Sequence, residues 1–338
     1  MRLIRPIRLD DLDALLGMAQ TAGAGFTSLP PQRDTLRAKI ERSLESFADP
    51  VERPGHQRYM FVLEETTSGE IGGCCAVEAA CGLDEPFYNY HVGLTVHASR
   101  TLGVYARVPT LYLSNDLTGA SVLCSLYLSP RFRSEGIGHL LSKSRFLFIA
   151  GFRERFADKI IAEMRGVSDE SGRSPFWEGL GRHFFSIEYG DAEHIVGQGN
   201  KACIAELMPK HPIYTVLLPQ EAQQVLGQVH PQTKPALRLL EQEGFRYQHY
   251  VDIFDGGPVV EAPTGAVRSI RRSRVVRVQI GTPDRDGGSA HLISNLSLGE
   301  FRCALATLAP QRDRVTLDAA LAQALRLEAG DGARIVAL

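Results

Sequence analysis

Residues 123–128 read LCSLYL, an apolar, β-prone run. The chain then passes through Ser129 and Pro130 into RSEGIG, residues 133–138, and on into a long apolar helical pattern. Gly136 and Gly138 allow the backbone to approach a ligand closely. The first N–H groups of the helix that follows have no partner within it. A strand, a glycine turn and a helix N-terminus in that order suit an anion, and the helix dipole favours a pyrophosphate. The R-x-x-G-x-G spacing of Arg133, Gly136 and Gly138 differs from G-x-x-x-x-G-K-[ST] and from G-x-G-x-x-G. It therefore signals neither a P-loop ATPase nor the usual dinucleotide fold.

Histidine and carboxylate chemistry lies elsewhere. His230 precedes Pro231, which biases it to an extended backbone at a loop end, a position that suits a site residue. It is one of 10 histidines, and by residue type alone it reads equally as a loop histidine with a structural hydrogen bond. Glu163 and Arg165 are two apart in a strand-like run, so both reach one face. They either meet a substrate there or pair with each other or with neighbours. Asp116, Asp169 and Glu170 are further carboxylates for a cationic substrate, with Asp169 equally placed to cap a turn. The six cysteines, at 74, 75, 81, 124, 203 and 303, form no C-x-x-C pair, which argues against a zinc site or a disulfide framework. Cys124 is the rival nucleophile, but a cysteine buried in a sheet is inert because apolar burial raises its pKa.

The elements that must position these groups follow from periodicity. The 338 residues are enough for one large domain or two. A hydrophobic share of 44% excludes a disordered chain, and a net charge of −2 gives no basic footprint for nucleic acid or anionic membrane. No apolar run reaches the roughly 20 residues needed to span a bilayer, and the first residues lack the apolar stretch of a signal peptide. A cytoplasmic protein with reduced thiols is expected.

The pattern predicts a strand over 1–7 and a helix from residue 8 with Leu12, Leu15 and Leu16 on one face, broken by Gly23 and Gly25. A second helix follows over 36–47. Strands are predicted over 58–64, 70–80, 88–96, 110–113 and 121–128. A helix over 138–156, apolar on too many sides for a surface position, packs on a sheet. A strand is read at 159–164, then a short helix capped by Ser174 with Pro175 at its first position, then a strand at 184–189. Residues 235–243 form a helix closed by Gly244, and 245–254 an aromatic strand. Two helix–glycine–aromatic strand passages hint at a repeated half-unit, as any α/β protein also shows. Arg268, Arg271, Arg272, Arg274 and Arg277 read as a solvated face near a domain boundary, followed by a small, mostly β appendage.

The strand–loop–helix passage resembles the pyrophosphate loop of the acyl-CoA N-acyltransferase (GNAT) superfamily. That resemblance implies an α+β fold, with a mixed twisted sheet, helices on both faces and a splayed strand pair holding coenzyme A. It assigns Leu126, Tyr127 and Leu128 to the pantetheine arm and Arg133, Glu135, Gly136 and Gly138 to the pyrophosphate. It also implies that the first 60 residues supply helices covering the substrate.

Longer segments are similar to those of the arginine N-succinyltransferases, the β type above all. They are SNDLTG (114–119), AEMRGVSDE (162–170), SPFW (174–177), AELMPKHPIY (205–214), GQVHP (227–231) and YVDIFDGGP (250–258). With the opening and the tail after 280, the similarity spans essentially the whole chain. It implies transfer of succinyl from succinyl-CoA to the α-amino group of L-arginine, or of ornithine, as the entry step of arginine catabolism. The transfer would be direct, with no permanently bound cofactor and no metal. His230 carries over as proton donor and Leu126 as a succinyl-CoA contact. Asp116, Glu163 and Arg165 are the substrate candidates, and a main-chain N–H near 126–128 the oxyanion donor.

The expected division is residues 1–265 as the GNAT-like domain and 266–338 as a small β-rich module. A homo-oligomer, or a hetero-oligomer with a paralogous α subunit, is expected. The alternatives are a non-catalytic partner subunit and an acyltransferase for another small amine or acyl-CoA.

Overall fold

Along the strand β2 (Arg58–Glu65), Tyr59, Phe61 and Leu63 face one way and Met60 and Val62 the other. All five are fully buried. The strand is apolar on both faces because helices cover both, as a central strand requires. In the computed structural model, which describes residues 1–22, 28–197, 206–283 and 287–338, the first face packs under the helix α3 (Ile137–Gly151). The second packs under α1 (Leu12–Ala22) and α2 (Arg33–Ala48).

Fifteen strands among the described residues form one mixed sheet. Its centre runs β1 (Arg2–Pro6), β2, β3 (Ile71–Glu78), β6 (Ser121–Leu128), β7 (Lys159–Glu163), β10 (Pro258–Pro263) and β9 (Arg246–Val251). On one side the hairpin β4 (Asn89–Ser99) and β5 (Val104–Ser114) extends it, with β8 (Ile213–Tyr214) at the edge. On the other side β13 (Cys303–Leu308) pairs with β1, and β12 (Ser289–Ser294), β15 (Gly332–Ala337), β11 (Arg274–Ile280) and β14 (Arg314–Leu317) continue the sheet outward in that order. The carboxyl-terminal strands carry a core of their own, yet Leu292, Phe301, Cys303 and Val336 belong to the core beneath α3. A mixed sheet with helices on both faces agrees with the expected fold class.

β6 begins and ends as its sequence pattern predicts, and Ser174 does cap its helix, accepting from the Trp177 N–H. Residues 184–189 do not form a strand. Helices Gly181–Phe185 and Tyr189–Gly197 flank Ser186, whose φ is +54°. The turn at Ser186 brings both Phe185 and the buried Tyr189 against Trp177, from the end of one helix and the start of the next. The apparent repeat therefore disappears: only the second passage, Lys234–Glu243 with Gly244 at φ +105° and then β9, has that form. Of the clustered arginines, Arg268, Arg271 and Arg272 lie on a short helix and Arg274 and Arg277 on β11. The strands Ser289–Ser294 and Cys303–Leu308 escaped the pattern. Gly23, Gly25, Cys203 and Ala205 lie outside the described residues.

Candidate active site

β6 and β7 run parallel but pair only at Ser121 with Ile160 and Val122 with Ile161. Beyond Val122 the two strands diverge, and a cavity of about 280 Å³ opens between them. β6 is also bulged against β3: Cys74 faces Tyr127 and Ala76 faces Cys124, so Ser125 and Leu126 together oppose Cys75. Ser125 sits at φ +51°, an uncommon conformation for a non-glycine residue. It is held there from three sides. Its N–H donates to Ser28 Oγ at 3.1 Å, its hydroxyl donates to the Ser28 carbonyl at 3.1 Å, and Arg58 donates to its Oγ at 3.0 Å.

Leu126, Tyr127, Leu128 and Arg133 line this cavity, as do Glu163 and Arg165. Arg133 Nε donates to the Leu128 carbonyl at 3.3 Å, so its guanidinium stands at the open end of the cleft. Gly136 is the N-cap of α3 at φ +78°, and Glu135 and Gly138 flank it at that helix start. A side chain on Gly136 would come within 2.4 Å of Leu305 in β13, so the carboxyl-terminal strands press directly on the glycine turn before α3.

His230 stands at the rim. It is half-buried, and its N–H donates to the Arg165 carbonyl at 2.8 Å, next to a bridge between Gly166 and Val229. Its Nδ1 accepts from the Gln232 N–H at 3.2 Å, so the neutral ring carries its hydrogen on Nε2. Burial, and then the charge of Arg165, hold the imidazole below its ordinary pKa. Its neighbours Arg165, Gln232 and Thr233 line the cavity while His230 itself flanks it.

A second cavity, of about 430 Å³, meets the first at Ser28, Val122, Cys124 and Glu163. Glu78, Asp84 and Glu85 line it, as do Lys39, Arg42 and Arg58. Glu163 thus stands at the junction, where Asn89 donates to its Oε1 at 3.3 Å. Arg165 Nη2 donates to Ser168 Oγ at 3.0 Å, while its Nε is buried without a hydrogen-bond partner among the described residues. Glu163 and Arg165 thus each meet a neighbouring side chain, and both line the first cavity.

Asp116 lines neither cavity. It is exposed and accepts from the Tyr250 hydroxyl at 2.9 Å, and that bond and Ser114 hold its carboxyl below the usual range. Asp169 caps its own turn, accepting from Ser171 and Arg173. Cys124 lines both cavities, and burial pushes its thiol upward despite Arg58 nearby.

Sequence reasoning missed three contributors. Asp255 accepts from the Gly166 N–H at 2.6 Å and the Gly257 N–H at 2.8 Å, and so fixes the loop after β7. Its signal was present in the DGGP run, whose second glycine would place a Cβ 2.2 Å from the Met164 carbonyl. Ser28 braces the bulge. Arg145, on α3, reaches the closed end of the cleft; its position inside an apolar helix pattern was the available sign.

Residues 2–269 match a family profile described as "Arginine N-succinyltransferase beta subunit", and residues 272–337 match its C-terminal domain profile. The chain is 54% identical over 338 residues to the arginine N-succinyltransferase of Salmonella schwarzengrund (strain CVM19633), covering 100% of this chain and 98% of that protein. It is 53% identical, with the same coverage, to that of Salmonella paratyphi B (strain ATCC BAA-1250 / SPB7). Among solved structures it resembles arginine/ornithine succinyltransferase subunit AI from Pseudomonas aeruginosa, with a TM-score of 0.91 and 40% identity, covering 100% of this chain and 98% of the other.

Proposed function

The chain belongs to the arginine N-succinyltransferase family, and from that premise we propose how its cleft transfers succinyl from succinyl-CoA to the α-amino group of L-arginine. The observation that carries the reading is the divergence of β6 from β7 beyond Val122, with an anion loop at the open end of the resulting cleft. The pyrophosphate of coenzyme A lies against Arg133, Glu135, Gly136 and Gly138, at the N-terminus of α3. The pantetheine arm runs back along Leu126, Tyr127 and Leu128. The thioester then lies at the bulge, where a main-chain N–H of this stretch stabilises the oxyanion.

Arginine enters from the second cavity. Glu163 receives its guanidinium, and Arg165, whose Nε is without a partner, receives its α-carboxylate. Glu163 ends β7 and Arg165 lies two residues beyond it, and both line the same cavity, so the two charges grip opposite ends of one small molecule. The neutral amine attacks the thioester carbonyl, the C–N bond forms and the C–S bond breaks. The surplus proton of the attacking nitrogen passes to the His230 ring, which as imidazolium gives a proton to the departing sulfur and returns to its neutral form. No acyl-enzyme forms.

The chain is an enzyme, and its residues 1–265 carry this machinery while 266–338 form the smaller β-rich module that abuts the anion loop. No helix among the described residues is long and apolar enough to cross a membrane. With its cysteines reduced, the enzyme works in the cytoplasm. It assembles with a second copy through the β4–β5 arm, where Leu102 and Tyr105 are 76% and 70% exposed. Sedimentation of the chain alone checks this; a monomer that dimerises only with a paralogous subunit would replace the second copy as partner.

The direct test is thiol release from succinyl-CoA with L-arginine, with mass analysis of the product. Succinylarginine formation by the isolated chain is expected. Tight coenzyme A binding with no product would favour the partner-subunit alternative, and transfer only from other acyl-CoAs would displace the succinyl donor.

A further inference from the structure

Three guanidinium groups line the cleft between β6 and β7, and they stand at different depths. Arg133 is at the open end beside Leu128, and Arg165 is past the end of β7 beside His230. Arg145 alone is at the closed end. Its Nη1 lies 3.4 Å from the carbonyl of Ala76, the residue that faces Cys124 across the sheet.

Arg145 is 2% exposed, and no carboxylate among the described residues pairs with it. Its other two bonds hold it to its own helix, from Nε to the Ser142 carbonyl at 3.0 Å and from Nη2 to Ser142 Oγ at 3.1 Å. A guanidinium has five N–H donors, so two remain, together with the long contact to Ala76. Burial pulls its pKa below the ordinary value, and the Cys75 and Cys124 thiols offset this only in part. A buried charge without a counter-ion is costly, and an arginine does not escape the cost by deprotonating. The nearby buried cation Lys143 shows the usual remedy, since Glu243 pairs with it at 3.0 Å.

We propose that Arg145 receives the terminal carboxylate of the succinyl group and is the residue that selects a dicarboxylic acyl donor over an uncharged one. The inference rests on the reading of the cleft given above. The pyrophosphate at the open end fixes the direction of the donor, so its acyl end points toward the closed end. There the carboxylate, two methylenes beyond the thioester carbonyl, meets a cation already held in place by Ser142. An acetyl or butyryl group leaves that cation buried and unpaired, which discriminates against it more strongly than lost contact area would.

The test compares succinyl-CoA with butyryl-CoA, acceptor L-arginine, in the wild type and in Arg145→Met and Arg145→Lys. The wild type is expected to prefer succinyl-CoA by about a hundredfold or more in kcat/KM. Arg145→Met is expected to bring that ratio within about tenfold of unity, mainly by losing the succinyl reaction, with Arg145→Lys intermediate. A folded Arg145→Met that binds coenzyme A and keeps the wild-type ratio overturns the role of Arg145 and leaves succinyl transfer standing. A wild type that does not use succinyl-CoA overturns the underlying reading instead. Should neither variant fold, a crystal structure of the wild type with a non-reactive succinyl-CoA analogue decides. The carboxylate at hydrogen-bonding distance from Arg145 supports the proposal, and its placement on any other group overturns it.

Discussion

The main-chain N–H of His230 donates to the carbonyl of Arg165 at 2.8 Å, which fastens the proposed proton donor to the loop that continues β7. Sixty-five positions separate the two residues in sequence, yet one hydrogen bond sets the imidazole beside the cleft. His230→Gln keeps this main-chain bond and removes the proton chemistry. We expect kcat to fall by about 10²–10⁴-fold, with coenzyme A affinity unchanged by calorimetry. A variant with near wild-type kcat would remove His230 from the mechanism.

The imidazole of His230 is expected to titrate below 6.5, because burial and the charge of Arg165 both disfavour its protonated form. A histidine with a depressed pKa binds fewer protons when folded than when unfolded. Its contribution to stability is therefore present above the unfolded value and is lost as pH falls from about 6.5 toward the folded pKa. In Arg165→Gln, NMR titration of the ring should move upward while burial keeps it below the ordinary value. An unchanged or lower midpoint would show that Arg165 exerts no field on the ring.

Gly136→Ala should weaken the anion loop for two separable reasons. The left-handed conformation costs an L-residue about 1–2 kcal/mol, and the new methyl meets Leu305. A lower melting temperature and weaker coenzyme A binding are expected. Adding Leu305→Ala should recover the part due to the clash and leave the part due to φ. Full recovery, or none, would contradict this division.

Cys124 lines both cavities, but burial raises its thiol pKa and direct transfer gives it no covalent role. Cys124→Ala should retain kcat to within about threefold. An inactive, folded variant, together with a succinyl-cysteine trapped in the wild type, would establish a two-step mechanism.

Glu163→Gln should raise the KM for L-arginine by about tenfold or more, since a hydrogen bond to a charged group contributes roughly 1.5–3 kcal/mol. The KM for succinyl-CoA should stay within error. An effect confined to the donor would place the guanidinium elsewhere, among Glu78, Asp84 and Glu85 of the second cavity.

Much of the positioning frame was legible in order along the chain. The run of β6, the glycine turn and the start of α3 are local features, each fixed by side-chain periodicity, positive φ at glycine and unpaired N–H groups. Ser174 as a cap and Gly244 as a helix end are equally local. Residues 184–189 misled because aromatic residues favour a strand in isolation, whereas here the chain turns at Ser186 between two helices and sets Phe185 and Tyr189 both against Trp177.

What the sequence determined by itself was therefore much of the succession of elements, the glycine turn before α3 and the residue types available for acyl transfer. Which of them meet was decided by tertiary structure. The divergence of β6 from β7, the bulge at Ser125, the attachment of His230 to Arg165 and the exclusion of Asp116 from both cavities depend on pairings between distant segments. Arg145 is the sharpest case. In the sequence it stands beside Lys143 as one of two basic residues in an apolar helix; only the packing of α3 under the sheet carries it to the closed end of the cleft, with no counter-ion among the described residues. Periodicity records which face of an element is apolar, but the depth of a charge below a sheet is set by strands and helices that the chain brings together from far apart.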